Sequence, residues 1–168
     1  MLVRTTAINK IIKLKKRIKI IQGGTSAGKT FGILPILIHK AADTPNIEIS
    51  VVAESIPHLR RGALKDFLNI MKWTGRYFEQ RFNKSLLRYE FANGSYIEFF
   101  SADDSSKLRG ARRDILYINE CNNVDFNSYN ELAIRTKQEI YLDFNPANEF
   151  WVHTELKDEG DSDFLILT

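Results

Sequence analysis

Two rhythms of apolar residues alternate along the chain: short, nearly continuous runs, and longer stretches with apolar positions every three to four residues. The first run, Ile18-Lys19-Ile20-Ile21-Gln22, is β-branched and is stopped by Gly23-Gly24, which predicts a buried strand. A helix is expected from Gly28 to Ala42, kinked where Pro35 lacks an amide donor beyond the first turn. Ile47 to Ala53 reads as a second strand. Pro57 then opens a helix whose apolar face is Leu59, Ala63, Phe67 and Ile70/Met71, running to Gly75. Leu86 to Ala92 and Ser95 to Ala102 flank Asn93-Gly94, the signature of a two-residue hairpin turn. Ile115 to Ile118 is another apolar strand, ending in Asn119-Glu120. A helix over Phe126 to Thr136, a strand over Glu139 to Phe144, a helix over Asn148 to Asp158 and a strand from Phe164 to Leu167 complete the series.

Strands that are apolar throughout and alternate with helices imply an α/β fold, with a mostly parallel central sheet flanked by helices on both faces. The hairpin is an antiparallel addition to it. At 168 residues the chain is read as one domain, 1–168. Trp73, Trp151 and the stripe Leu59/Ala63/Phe67 are assigned to the core.

Charge changes the picture slightly. The net charge is only +3, yet residues 1–20 carry seven Lys/Arg and no acid, while residues 139–163 carry eight acids and Lys157 alone. Such ends suit head-to-tail subunit packing, a basic face toward nucleic acid, or simply two solvated flanks. The longest apolar stretch, Phe31 to Ile38, is far short of the roughly 20 residues that span a bilayer. Lysines between positions 10 and 19 argue against a signal peptide. The single Cys121 excludes an internal disulfide and a multi-cysteine zinc site, and it reads as a small buried residue. A cytosolic protein is expected.

The candidate chemistry is concentrated in Gly23-Gly24-Thr25-Ser26-Ala27-Gly28-Lys29-Thr30, which fits G-x-x-x-x-G-K-[ST] between a strand and a helix. Glycines let the backbone curl so that successive N–H groups face phosphate oxygens, and the helix adds its positive end. Lys29 would reach the β- and γ-phosphates, and the Thr30 hydroxyl would ligate Mg²⁺. A general base is expected from the end of a neighbouring buried strand, where Glu120 stands. Asn119 occupies the position where a metal-side aspartate is usual; its amide can still hold a magnesium-bound water, without the charge. An arginine should face the γ-phosphate, and the segment Lys107 to Arg113 offers Arg109, Arg112 and Arg113; each serves equally as a surface charge or a DNA phosphate contact. Asn145, before Pro146, ends a strand beside the sheet, as a partner of the γ-phosphate or attacking water, or as a turn initiator. Arg4 and Asn9 are candidates for an adenine pocket.

With these pieces in order, the chain resembles the ATPase domain of a tailed-phage terminase large subunit. The resemblance rests on the phosphate loop Gly23–Thr30, the hairpin Leu86–Ala102, Arg109-Gly110 ahead of Ile115–Glu120, and Asn145-Pro146 followed by Trp151. It implies a P-loop NTPase using ATP and Mg²⁺, commonly in a five-membered ring on the portal protein, with a small terminase subunit as a further partner. The ring drives double-stranded DNA into a procapsid in the host cytoplasm. Lys29 and Thr30 then bind nucleotide and magnesium, Glu120 is the catalytic base, Arg109 is an arginine finger acting in cis or trans, and Asn145 couples hydrolysis to movement. The family's nuclease domain is not expected in this chain, which stops at Thr168. A helicase-like nucleic-acid ATPase, a nucleotide-gated assembly module without turnover, and a small-molecule kinase are the competing readings.

Overall fold

The computed structural model describes residues 4–24 and 27–168. In chain order its elements are α1 (Thr6–Ile12), β1 (Ile18–Gly23), α2 (Lys29–Asp43), β2 (Glu48–Ala53), α3 (Ile56–Arg61), α4 (Ala63–Trp73), β3 (Phe82–Asn83), β4 (Arg88–Glu90), β5 (Tyr96–Ser101), α5 (Ser105–Gly110), β6 (Arg113–Ile118), α6 (Phe126–Ala133), β7 (Thr136–Phe144) and β8 (Ser162–Leu167). The strands form one sheet in the order β3-β4-β5-β2-β6-β7-β1-β8. From β5 to β8 the pairs are parallel, and β4 and β3 extend the β5 edge antiparallel.

Side chains alternate along a strand, so consecutive residues enter opposite cores. Ile21, Val51, Tyr117 and Tyr141 pack against α1–α4. Ile20, Val52, Leu116 and Leu142 pack against α5 and α6. Helices thus cover both faces, as the continuous apolar strands predict.

Register then decides what meets at the C-terminal ends of the parallel strands. β1 pairs with β7 up to Gln22↔Phe144, and β6 pairs with β7 up to Ile118↔Leu142. One step further brings Asn145 alongside Gly23 and Asp143 alongside Asn119.

Several elements depart from their sequence expectations. The single helix expected from Pro57 to Gly75 is two, α3 and α4, because Gly62 sits at φ −112°, ψ −108°. A Cβ at Gly62 would lie 3.0 Å from the His58 carbonyl oxygen, so only glycine fits this break without displacement. The hairpin turn is longer than two residues. Asn93 keeps negative φ and only Gly94 is left-handed, at +87°, with Gly94 N–H bonding Phe91 O and Phe91 N–H bonding Ser95 O. Asn93 instead uses its amide to bind the carbonyls of Ala41 and Ala42 at the end of α2.

The helix expected over residues 148–158 is a single π turn at Val152–Leu156, and α6 stops at Ala133 because β7 already begins at Thr136. Two short helices lacked a clear apolar period. In α1, Thr5 accepts the N–H of Ile8, and in α5, Asp104 accepts that of Lys107. Trp73 is not core: it is 70% exposed and stacks on Phe31. Leu59, Ala63 and Phe67 are fully buried, and Trp151 is half-buried, its indole N–H donating to Val124 O.

The basic and acidic flanks meet inside the chain, because β1 lies between β7 and β8. Backbone N–H groups of Lys15 and Lys16 donate to Asp163 at 2.7 and 2.8 Å, and the Lys19 ammonium lies 2.9 Å from Glu139. Part of the charge asymmetry is therefore neutralised by internal pairing.

Gly94→Ala should destabilise the fold by about 1–2 kcal/mol, the cost of a left-handed alanine. The new Cβ would also collide with Asn46 Oδ1. Thermal unfolding should fall by about 2–8 °C; an unchanged midpoint would show that the turn does not need that conformation.

Candidate functional site

β1 ends in Gly23 and α2 begins at Lys29. A Cβ on Gly23 would lie 2.8 Å from Ala27 Cβ and 3.1 Å from Leu167 O, which leaves no room for a side chain. Gly28 caps α2 in the left-handed region, at φ 80° and ψ 26°. Its carbonyl accepts the N–H of Gly32, which begins the helical bonding. Thr25 and Ser26 lie outside the described residues. The Lys29 side chain folds back over the loop, its Nζ donating to Gly23 O at 2.6 Å, Gly24 O at 3.2 Å and Asn145 Oδ1 at 2.6 Å. Burial pushes its pKa down, while Asp143 and Glu120 favour the charged form.

The strand that carries Glu120 is not adjacent to the phosphate-loop strand: β7 lies between β1 and β6. This corrects the expectation of a neighbouring strand and explains why Asn145, just past the end of β7, is the side chain that meets Lys29. It also exposes a residue that sequence reasoning missed. Asp143 is 0% exposed and accepts from Tyr117 OH at 2.5 Å, Asn119 Nδ2 at 3.2 Å and Glu120 N–H at 2.7 Å. Burial raises its carboxyl pKa, while these donors and the nearby Lys29 oppose the rise. Burial likewise drives the Tyr117 phenol well up, with Asp143 adding to it, so the hydroxyl keeps its proton to donate.

The consequences spread along the end of β6. Glu120 adopts a left-handed backbone, φ 53° and ψ 56°, which costs a non-glycine residue about 1 kcal/mol and is offset by its N–H bond to Asp143. Its half-buried carboxyl group lines a cleft of about 280 Å³ with Lys29, Thr30, Gly62, Asn119 and Asn145. Asn119 is 8% exposed and turns its Nδ2 inward; its Oδ1 would lie 3.4 Å from a Cβ on Gly62, across the break between α3 and α4. Asp66, in the first turn of α4, also lines the cleft, and burial raises its pKa.

A phosphate-bound magnesium ion fits this donor set. Thr30 Oγ1 and Asn119 Oδ1 are hard oxygens on one cleft, and a magnesium ion keeps several waters rather than requiring a full protein cage.

Other expected site residues lie elsewhere. Arg109 is exposed in the last turn of α5, shortly before β6 starts at the opposite end of the sheet, so the fold does not bring it to its own phosphate loop. Arg112 is exposed as well. Arg113 is fully buried and donates to Ser50 Oγ and Leu132 O, a structural role. Arg4 and Asn9 are exposed and do not line the cleft. Cys121 is buried, with its thiol pKa driven up.

A model of the family described as phage terminase large subunit matches residues 15–164. Among solved structures, the large terminase of a thermophilic bacteriophage, in complex with ATP-gamma-S, is 17% identical with a TM-score of 0.79, covering 98% of this chain and 44% of that one. The ATPase domain of the Thermus phage P74-26 large terminase is 12% identical with a TM-score of 0.75, covering 98% and 80%. The Phi-28 gp11 DNA packaging motor is 11% identical with a TM-score of 0.61, covering 95% and 59%. At these identities the likeness is one of fold. The chain spans less than half the length of the thermophilic bacteriophage's large terminase. None of the curated proteins matches it.

Tyr117→Phe removes a donor from a buried carboxylate and should cost about 1.5–3 kcal/mol in denaturant unfolding. Tyr141→Phe, which loses only a 3.3 Å bond to the half-buried Glu139, should cost less than about 1 kcal/mol. Equal losses would contradict the central place given to Asp143.

Proposed function

The chain belongs to the phage terminase large subunit family, and from that premise we propose that it is an ATP-hydrolysing motor domain that drives double-stranded DNA into a procapsid in the host cytoplasm. The observation that carries the reading is the meeting of Lys29, Asn145 and Glu120 in one cleft at the C-terminal ends of β1, β7 and β6. The complexes of the thermophilic bacteriophage's large terminase with ADP and ATP-gamma-S and the family match support it.

Loop N–H groups and the N-terminus of α2 would take the charge of the triphosphate. Lys29 would give up the Gly23 and Gly24 carbonyls and Asn145 Oδ1 for phosphate oxygens. That exchange frees Asn145, so the amide at the end of β7 changes partner when nucleotide enters and again when the γ-phosphate leaves, a coupling role. Glu120 would accept a proton from the attacking water. Its backbone is fixed by Asp143, which holds it on the cleft wall. Thr30, and Asn119 through a water, would hold magnesium, whose charge neutralises that developing on the phosphate oxygens. The exposed Arg109 is available to a neighbouring chain, so the finger acts in trans within a ring. Portal protein and a small terminase subunit are the expected partners of that ring. The second reading, an assembly module that binds nucleotide without turnover, is favoured by Asn119, which carries no charge of its own.

Lys29→Ala should abolish ATP binding, and Glu120→Gln should keep binding while hydrolysis falls by about a hundredfold or more. Unchanged affinity in the first variant, or a wild-type rate in the second, would overturn these roles. The hydrolysis rate per molecule should climb with protein concentration, and Arg109→Ala should remove that climb. A rate that is flat across concentration places the finger elsewhere, and no turnover selects the assembly module.

A further inference from the structure

We infer that the buried Asp143 carboxylate, acting through the Asn119 amide, supplies the magnesium position with the negative charge that asparagine at 119 lacks. The inference rests on the nucleotide-hydrolysing reading above. The first support is register: the step beyond Ile118↔Leu142 sets Asn119 and Asp143 side by side on paired strands. The second is orientation. Asn119 Nδ2 lies 3.2 and 3.3 Å from the two Asp143 oxygens, so its Oδ1 is left for the cleft, on the Gly62 side. An amide that donates to a carboxylate is polarised, and its carbonyl oxygen becomes a better partner for a cation or a cation-bound water.

The third support is the phenol that Asp143 and Asn119 share. Tyr117 OH donates to Asp143 at 2.5 Å and also receives the Asn119 amide at 3.2 Å. The Asn119 oxygen proposed to face magnesium is therefore backed by an anion that does not itself touch the ion. With no solvent exposure, Asp143 is screened little by water or salt. Asp143 is thus a positioning residue: two groups on adjacent strands, a carboxylate and an amide, divide the work that one aspartate at 119 would do. A purely structural Asp143 would hold the end of β6 through Glu120 N–H and contribute nothing to cation binding.

The test is the ratio of ATP-gamma-S affinities measured calorimetrically with Mg²⁺ and with EDTA, on the whole chain. Wild type should bind more tightly with Mg²⁺. Asp143→Asn, which keeps shape and removes charge, should lose about tenfold or more of that ratio, with the loss falling on the affinity measured with Mg²⁺. The exchange Asp143→Asn with Asn119→Asp returns the charge to the same pair of strands with complementary donors, and it should restore the ratio. If Asp143→Asn does not fold, the exchanged protein decides alone. A wild-type ratio in Asp143→Asn, or a folded exchanged protein without the ratio, would overturn the inference. If the wild-type chain binds ATP-gamma-S in neither condition, the nucleotide reading fails and takes the inference with it, a result separate from a lost ratio.

Discussion

A carboxylate with no access to water must be matched by donors, because an uncompensated buried charge costs several kcal/mol. Asp143 is such a group, and the shape of the cleft follows from how it is matched. Tyr117 gives a hydroxyl proton, Asn119 an amide, and Glu120 a backbone N–H. Each donor is thereby fixed in direction. Glu120 is held in a left-handed conformation that its own sequence does not favour, and the Asn119 carbonyl is turned outward. The β6 end of the candidate site is a by-product of satisfying one anion.

β7 joins that end to the phosphate loop. Asp143 lies on it and Asn145 directly follows its last residue, Phe144. One touches the end of β6, and the other touches Lys29, 2.6 Å away. The intermediate position of β7 between β1 and β6 gives the sheet a short physical route between Lys29 and Glu120. Its length is a single strand spacing on either side, about 4.8 Å.

Much of this was legible in residue order, and the reasons for the rest are physical. The phosphate loop could be read because glycine, lysine and threonine are forced by chemistry at fixed spacing. Glu120 stood out as an acid directly after a continuous apolar run. Asp143 did not, because inside Tyr141-Leu142-Asp143-Phe144 it reads as one polar interruption of a strand. Its meaning depends on which strand lies next to it, and pairing is a property of the whole sheet. The signal that could have found it is its two-residue spacing from Asn145. The break at Gly62 lies in its backbone angles, and the want of room for a Cβ beside His58 is a contact invisible along the chain. Trp73 followed the usual preference of large aromatics for the interior and lies instead on the surface beside Phe31.

The mechanism turns on Lys29 trading its contacts within the chain for phosphate and thereby releasing Asn145. A crystal structure of the chain with ATP-gamma-S and Mg²⁺ decides whether it does. The triphosphate should lie inside the Gly23–Thr30 loop, with Lys29 Nζ on its β- and γ-oxygens and Asn145 Oδ1 no longer bonded to Lys29. Nucleotide bound away from that loop, or Lys29 still 2.6 Å from Asn145, would refute the exchange.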